Sequence, residues 1–250
     1  MRTFFNRISG IALSVVLSCY SLSLMASTSG VDLLKKMDEL YRSDTSVATM
    51  KMTIVTPDWQ RTLEMDSWTR GMDDTFIRVL EPKKDRGVTT LKIDQQMWNY
   101  FPKINKVIKV PPSMMMGSWM GSDFTNDDLV RESSLVDDYH VDNEDLGDNI
   151  LLTLTPKQET VTVWGKITIL VKSDSLLPIK QTYFNEKGSK VRVMTFSDVR
   201  EFSGKTIPAT MTMEPLNKKG HKTIIQYEQA KFDVEIANSV FTQRNMKKRF

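Results

Sequence analysis

Cysteine is almost missing. Cys19 is the only one in 250 residues and it lies in a leader-like segment, so the fold does not rest on disulfide staples. Histidine is nearly as scarce: His140 and His221 are the only two, neither with a His or Cys companion at ligand spacing, which argues against zinc. With Cys19 set aside there is no thiol nucleophile, and no G-x-S-x-G elbow or phosphate-cradling glycine loop is present. No block of like charge exceeds a few residues, and a net charge of +3 is no nucleic-acid footprint. Beyond residue 26 no apolar run is long enough to cross a bilayer. Enzymatic chemistry, a cofactor, a metal and a nucleic-acid partner are therefore not expected.

What is present begins with an address. Arg2 and Arg7 precede a run from Ile8 to Leu24 that is apolar with small residues and ends at Ala26. That pattern reads as a secretory signal over residues 1–26, with the mature chain starting at Ser27 in the periplasm. A membrane anchor is disfavoured by the serines that dilute a run already short for spanning. Val16-Leu17-Ser18-Cys19 is a degenerate lipobox, so lipid anchoring at Cys19 stands as a less favoured alternative. Residues 1–26 hold no Asp or Glu, so cleavage takes the charge from +3 to +1.

Residues 31–43 place Leu33, Leu34, Met37, Leu40 and Tyr41 on one face and Lys35, Lys36, Asp38 and Glu39 on the other, the pattern of an amphipathic helix. From Ser46 the period changes to two: Ala48, Met50, Met52 and Ile54 alternate with polar neighbours, as a half-buried strand requires. Further strands are expected at about 60–70, 74–81, 88–94, 95–101 and 104–110, then at 150–156, 162–172, 177–185, 190–198, 205–214 and 222–232. Turn signals ending in Gly188, Gly204 and Gly220 make the second half a meander of long hairpins. Asp137, Asp138, Asp142, Glu144, Asp145 and Asp148 lack the order of a calcium loop and read as a solvated loop.

Pro111 to Arg131, PPSMMMGSWMGSDFTNDDLVR, has no counterpart elsewhere in the chain. It packs Met114, Met115, Met116, Trp119, Met120 and Phe124 among glycines and serines, where a core helix would carry Leu and Ile. Two readings stay open: a movable apolar flap, or a static amphipathic cover. Thr125 is placed as an N-cap with Asp128 at N3, a relative of the capping box. A curved antiparallel sheet of about a dozen strands has a concave face that one 13-residue helix does not fill. The flap at 112–131 is the second cover, and the whole becomes a container for something apolar. The expected fold is mainly β (α+β): one domain over residues 27–250, a strongly curved antiparallel sheet or barrel whose concave side is covered by the N-terminal helix and a helical flap.

Several segments resemble one family. Gly121-Ser122-Asp123-Phe124-Thr125-Asn126-Asp127-Asp128-Leu129 resembles the GSDFSYEDL signature of periplasmic outer-membrane lipoprotein-sorting, LolA-like proteins. Leu80-Glu81-Pro82 with Gly87-Val88-Thr89-Thr90-Leu91 resembles their FLEP and GT-L segment, and Trp98-Asn99-Tyr100-Phe101-Pro102 resembles their W-Y-P. The resemblance implies a half-barrel with a hydrophobic cavity for acyl chains of lipoproteins or other lipids. It implies a carrier or chaperone, in some members beside an inner-membrane exporter of the RND or ABC type. A lipid or lipoprotein sensor acting on a membrane partner is the alternative. The candidate ligand-contacting set is Met114, Met115, Met116, Trp119, Met120 and Phe124, joined by Trp98 and Tyr100, in a protein expected to be monomeric.

Overall fold

The computed structural model describes residues 29–131 and 135–248; the expected signal segment and Cys19 lie outside the described residues. Ser29 opens the first helix, α1 (Gly30–Arg42), by accepting a 3.1 Å hydrogen bond from the Asp32 amide, so an orphan donor of the first turn is satisfied. The predicted stripe then buries Leu33, Leu34 and Met37 in the main core.

Alternating sequence becomes one antiparallel sheet of thirteen strands. The first six are β1 (Thr45–Val55), β2 (Gln60–Arg70), β3 (Asp74–Glu81), β4 (Thr89–Ile93), β5 (Gln96–Phe101) and β6 (Lys106–Lys109). They meander outward in order from β1. The other seven are β7 (Tyr139–Asp145), β8 (Asn149–Pro156), β9 (Lys166–Lys172), β10 (Pro178–Phe184), β11 (Lys190–Phe202), β12 (Lys205–Pro215) and β13 (Lys222–Phe232). They meander back from the opposite edge until β13 pairs with β1 and joins the two halves. Among the described residues neither β6 nor β7 has a second neighbour, so the curved sheet stays unclosed. Register shifts at Thr49/Met50, Glu64/Met65, Pro178/Lys180 and Tyr183/Phe184 are bulges, which bend a strand and raise its twist.

Period two decides which side chains face inward. In β1 the burial alternates without a break, with Ala48, Met50, Met52 and Ile54 buried. Met50, Met52 and Ile54 join Leu63, Met65, Ile77, Val79, Met97, Leu152, Ile167 and Ile169 in the core of the concave face. A smaller cluster lies on the other face, where Phe76, Leu91 and Tyr100 meet Phe241 and Met246 from the tail. There α4 (Gln243–Met246) is capped by Thr242, as its hydroxyl accepts from the Asn245 amide at 3.2 Å.

β7 corrects the sequence reading. The acidic stretch is solvated but is an edge strand, paired from Tyr139↔Pro156 to Asp145↔Ile150. Only Tyr139 on it is buried and most of the rest is exposed, so it shows no apolar alternation by which to be recognised. Among the described residues no helix is long and apolar enough to cross a membrane.

Candidate functional site

Because β6 and β7 are opposite edges of the sheet, the segment joining them must cross its open side. It does so as a 3-10 turn (Pro112–Met114), an irregular loop, and the short helices α2 (Asn126–Arg131) and α3 (Leu135–Asp138). The flap is therefore helical at its ends and not in its middle. Met120 and Gly121 take positive φ, 52° and 79°, which no helix accommodates. Ser118 bridges Thr125 instead, and the Trp119 amide donates to the Phe124 carbonyl at 2.8 Å.

The capping box at the head of α2 is formed. The Asp128 amide donates to Thr125 Oγ1 at 3.1 Å, and the Thr125 amide donates to Asp128 Oδ2 at 2.7 Å. The same carboxylate receives Arg192 from β11, with Nη1 at 2.7 Å from Oδ2 and Nη2 on Oδ1, a bidentate pair. Arg192 is buried, and its guanidinium lies over the rings of Tyr183 and Trp164, 4.0 and 4.4 Å from their centroids. Burial alone would push its pKa down. Asp128 and Tyr183 outweigh that and hold it above the usual arginine value.

Further tethers pin the flap to the sheet. Trp119 Nε1 donates to Thr90 Oγ1 on β4 at 3.1 Å, and Arg61 of β2 donates to the Met120 carbonyl. Asp123 and Thr223 of β13 exchange two bonds: the Asp123 amide donates to Thr223 Oγ1 at 2.9 Å, and that hydroxyl donates to Asp123 Oδ2 at 2.8 Å. Each tether reaches a different strand, on both sides of the β1–β13 seam.

Beneath the flap lies a cavity of about 220 Å³. Met37, Met50, Met194, Met211, Phe196 and Tyr227 give it an apolar, adaptable wall. One side is a patch of hydroxyls, Ser46, Ser67, Thr69 and Thr75, in which Ser46 and Thr69 are 2.6 Å apart. Trp119 and Phe124, both buried, form part of the lining on the flap side.

The other candidate residues fall elsewhere. Met115 is half-buried against the core, whereas Met114 and Met116 point out, 61% and 41% exposed. Met120 lines a second cavity. Trp98 and Tyr100 are on the opposite face of β5 from Met97, in the cluster under the tail, and do not line the cavity. There Tyr100 donates to Asn105 Oδ1 at 3.1 Å. Trp98 and Tyr100 thus occur two residues apart on one strand face, and the period that brings them together also sends them away from Met97. Arg192, Trp164, Tyr183 and the cavity methionines were not singled out from sequence. The available signal was a charge at an inward position of an otherwise apolar strand face, since Arg192 shares its face with Met194 and Phe196.

No curated protein matches the chain significantly. Solved structures are similar to it: a DUF1329 family protein from Desulfovibrio piger, at 23% identity and a TM-score of 0.78, with 87% of this chain and 97% of that one covered. An outer membrane lipoprotein-sorting protein domain from Vibrio parahaemolyticus matches at 18% identity and 0.75, covering 88% and 98%. The LolA superfamily protein NE2245 from Nitrosomonas europaea matches at 20% identity and 0.72, covering 88% and 100%. A family model described only as "-like: Uncharacterized protein" matches residues 71–248. The chain belongs to that uncharacterized family, and its fold is the half-barrel of the LolA-like, lipoprotein-sorting structures.

Proposed function

We propose that the protein is a periplasmic carrier that holds acyl chains of lipoproteins or other lipids under its flap, for sorting or transport toward the outer membrane. The observation that carries this reading is the largely apolar cavity under a flap that polar side chains tether to four strands of the sheet. At about 220 Å³ the cavity lies below the roughly 300–1,000 Å³ of pockets for drug-sized ligands, so a long chain enters only if the flap moves out. Each neutral tether contributes about 0.5–1.5 kcal/mol net. Burying about a dozen methylenes offers on the order of 10 kcal/mol, enough to offset their loss. Methionine walls repack around chains of different shape at little cost. An inner-membrane exporter of the RND or ABC type would supply the cargo.

Mass spectrometry of lipids that co-purify with the protein from a native periplasmic extract tests the reading. Acyl lipids in near-stoichiometric amount are expected. A protein that comes out empty and takes up no fluorescent fatty acid in vitro would sink it. The address has its own check. The mature protein should have the intact mass of a chain starting at Ser27, and a mass matching acylated Cys19 would make it membrane-anchored instead.

A further inference from the structure

Trp119 and Met120 are consecutive, yet they line different cavities. The one reached by Met120 has a volume of about 390 Å³ and lies where the flap passes the β3–β4 and β5–β6 loops. Leu63, Val79 and Val88 line it from the sheet side. Phe101 and Ile104 rim it and are 39% and 57% exposed, which leaves an apolar wall open to solvent. Its polar complement is Arg61, Lys84 and Lys103 against a single carboxylate, Asp85.

That carboxylate does not satisfy the arginine. Arg61 Nη1 and Asp85 Oδ2 are 3.9 Å apart, an ion pair too long for a hydrogen bond. Arg61 Nε and Asp85 Oδ2 are both buried without a hydrogen-bond partner among the described residues. A buried guanidinium N–H without an acceptor is costly, and an entering anionic oxygen removes that cost.

We propose that this second cavity binds an anionic amphiphile, a phosphate or carboxylate head on an apolar chain. The head is received by Arg61 with Lys84 and Lys103 at the mouth, and the chain lies along Phe101 and Ile104 toward Val88. Arg61 also donates to the Met120 carbonyl, so a head that draws the guanidinium away removes a flap tether one residue from Trp119. The site is thereby placed to bias the flap over the main cavity.

The test is a titration of the full-length mature chain with dodecyl phosphate below its micelle-forming concentration, read by the ¹³C-methyl signals of methionine. Met120→Leu assigns the Met120 signal, and Met50 and Met211 report the main cavity. The comparison variant is Lys84→Gln/Lys103→Gln, whose two positions are exposed, with its thermal midpoint measured to confirm the fold. The Met120 signal is expected to titrate, with the Met50 and Met211 signals following it as the flap shifts, and this coupled response to lose about tenfold or more in affinity in the variant. Inorganic phosphate alone is expected to leave Met120 in place. An unresponsive Met120, an affinity unchanged in the variant, or phosphate acting as well as the amphiphile would each overturn the proposal.

Discussion

Arg192 is one residue in which local pattern and distant contact meet. Its inward position on β11 follows from period two, since Val191 and Val193 turn outward and Met194 inward with it. Its partner does not follow from any local rule, because Asp128 is 64 residues away in a helix of six residues. The pair was therefore legible as a question, an inward charge needing a carboxylate, and the answer needed the chain path. Replacing Arg192 with Met should cost about 3 kcal/mol or more, because Asp128 loses the cation that neutralises it. Urea denaturation measures this, and Arg192→Met/Asp128→Asn should recover part of the loss. A single variant within 1 kcal/mol of wild type would mean the pair does not hold the flap. The raised arginine pKa also has a sign: its stabilisation is complete at every pH below the ordinary arginine value and is lost only in stronger alkali. Any loss of stability in acid must come from other groups.

At the scale of the element, the flap was readable at its ends and opaque in its middle. Thr125 and Asp128 formed the expected box because a cap depends on residues three apart, well within local reach. Which methionines face inward depends on a 3-10 turn and an irregular loop that carry no helical period, so Met114 and Met116 proved exposed and Met115 half-buried. The flap's role is checked with Asp123→Cys/Thr223→Cys, in a mature chain that has no other cysteine if cleaved after Ala26. The Asp123 amide itself donates to Thr223 Oγ1 at 2.9 Å, which brings the flap backbone close to β13 for a cysteine bridge between flap and sheet. The oxidised form should take up fluorescent fatty acid at least tenfold more weakly than the reduced form, and reductant should restore uptake. Equal uptake by both forms would show that the flap is not the gate. Removing the indole tether separately, by Trp119→Phe, should cost roughly 1 kcal/mol in stability while sparing most of the packing.

For the whole molecule, period two revealed every strand but β7, and it revealed the hairpins through Gly188, Gly204 and Gly220, all at positive φ. β7 escaped because an edge strand with one buried residue need not alternate. What joins the two meanders was not legible: that β1 pairs β13 is a contact between strands far apart in the sequence. That seam sits at the centre of the sheet, so its amides should exchange hydrogen only through global unfolding, while β6 and β7 exchange by local opening. Hydrogen–deuterium exchange with mass spectrometry should rank β1 and β13 slowest, and equally slow edges would contradict a sheet open at β6 and β7. The open edges have a mechanical meaning. In a closed barrel, strand number and stagger fix the girth, and widening it requires breaking a ladder. Here the ladder is never joined between β6 and β7, so the sheet can flex like a cuff with every strand-to-strand hydrogen bond intact, and the flap and its tethers are the clasp that sets how far it opens.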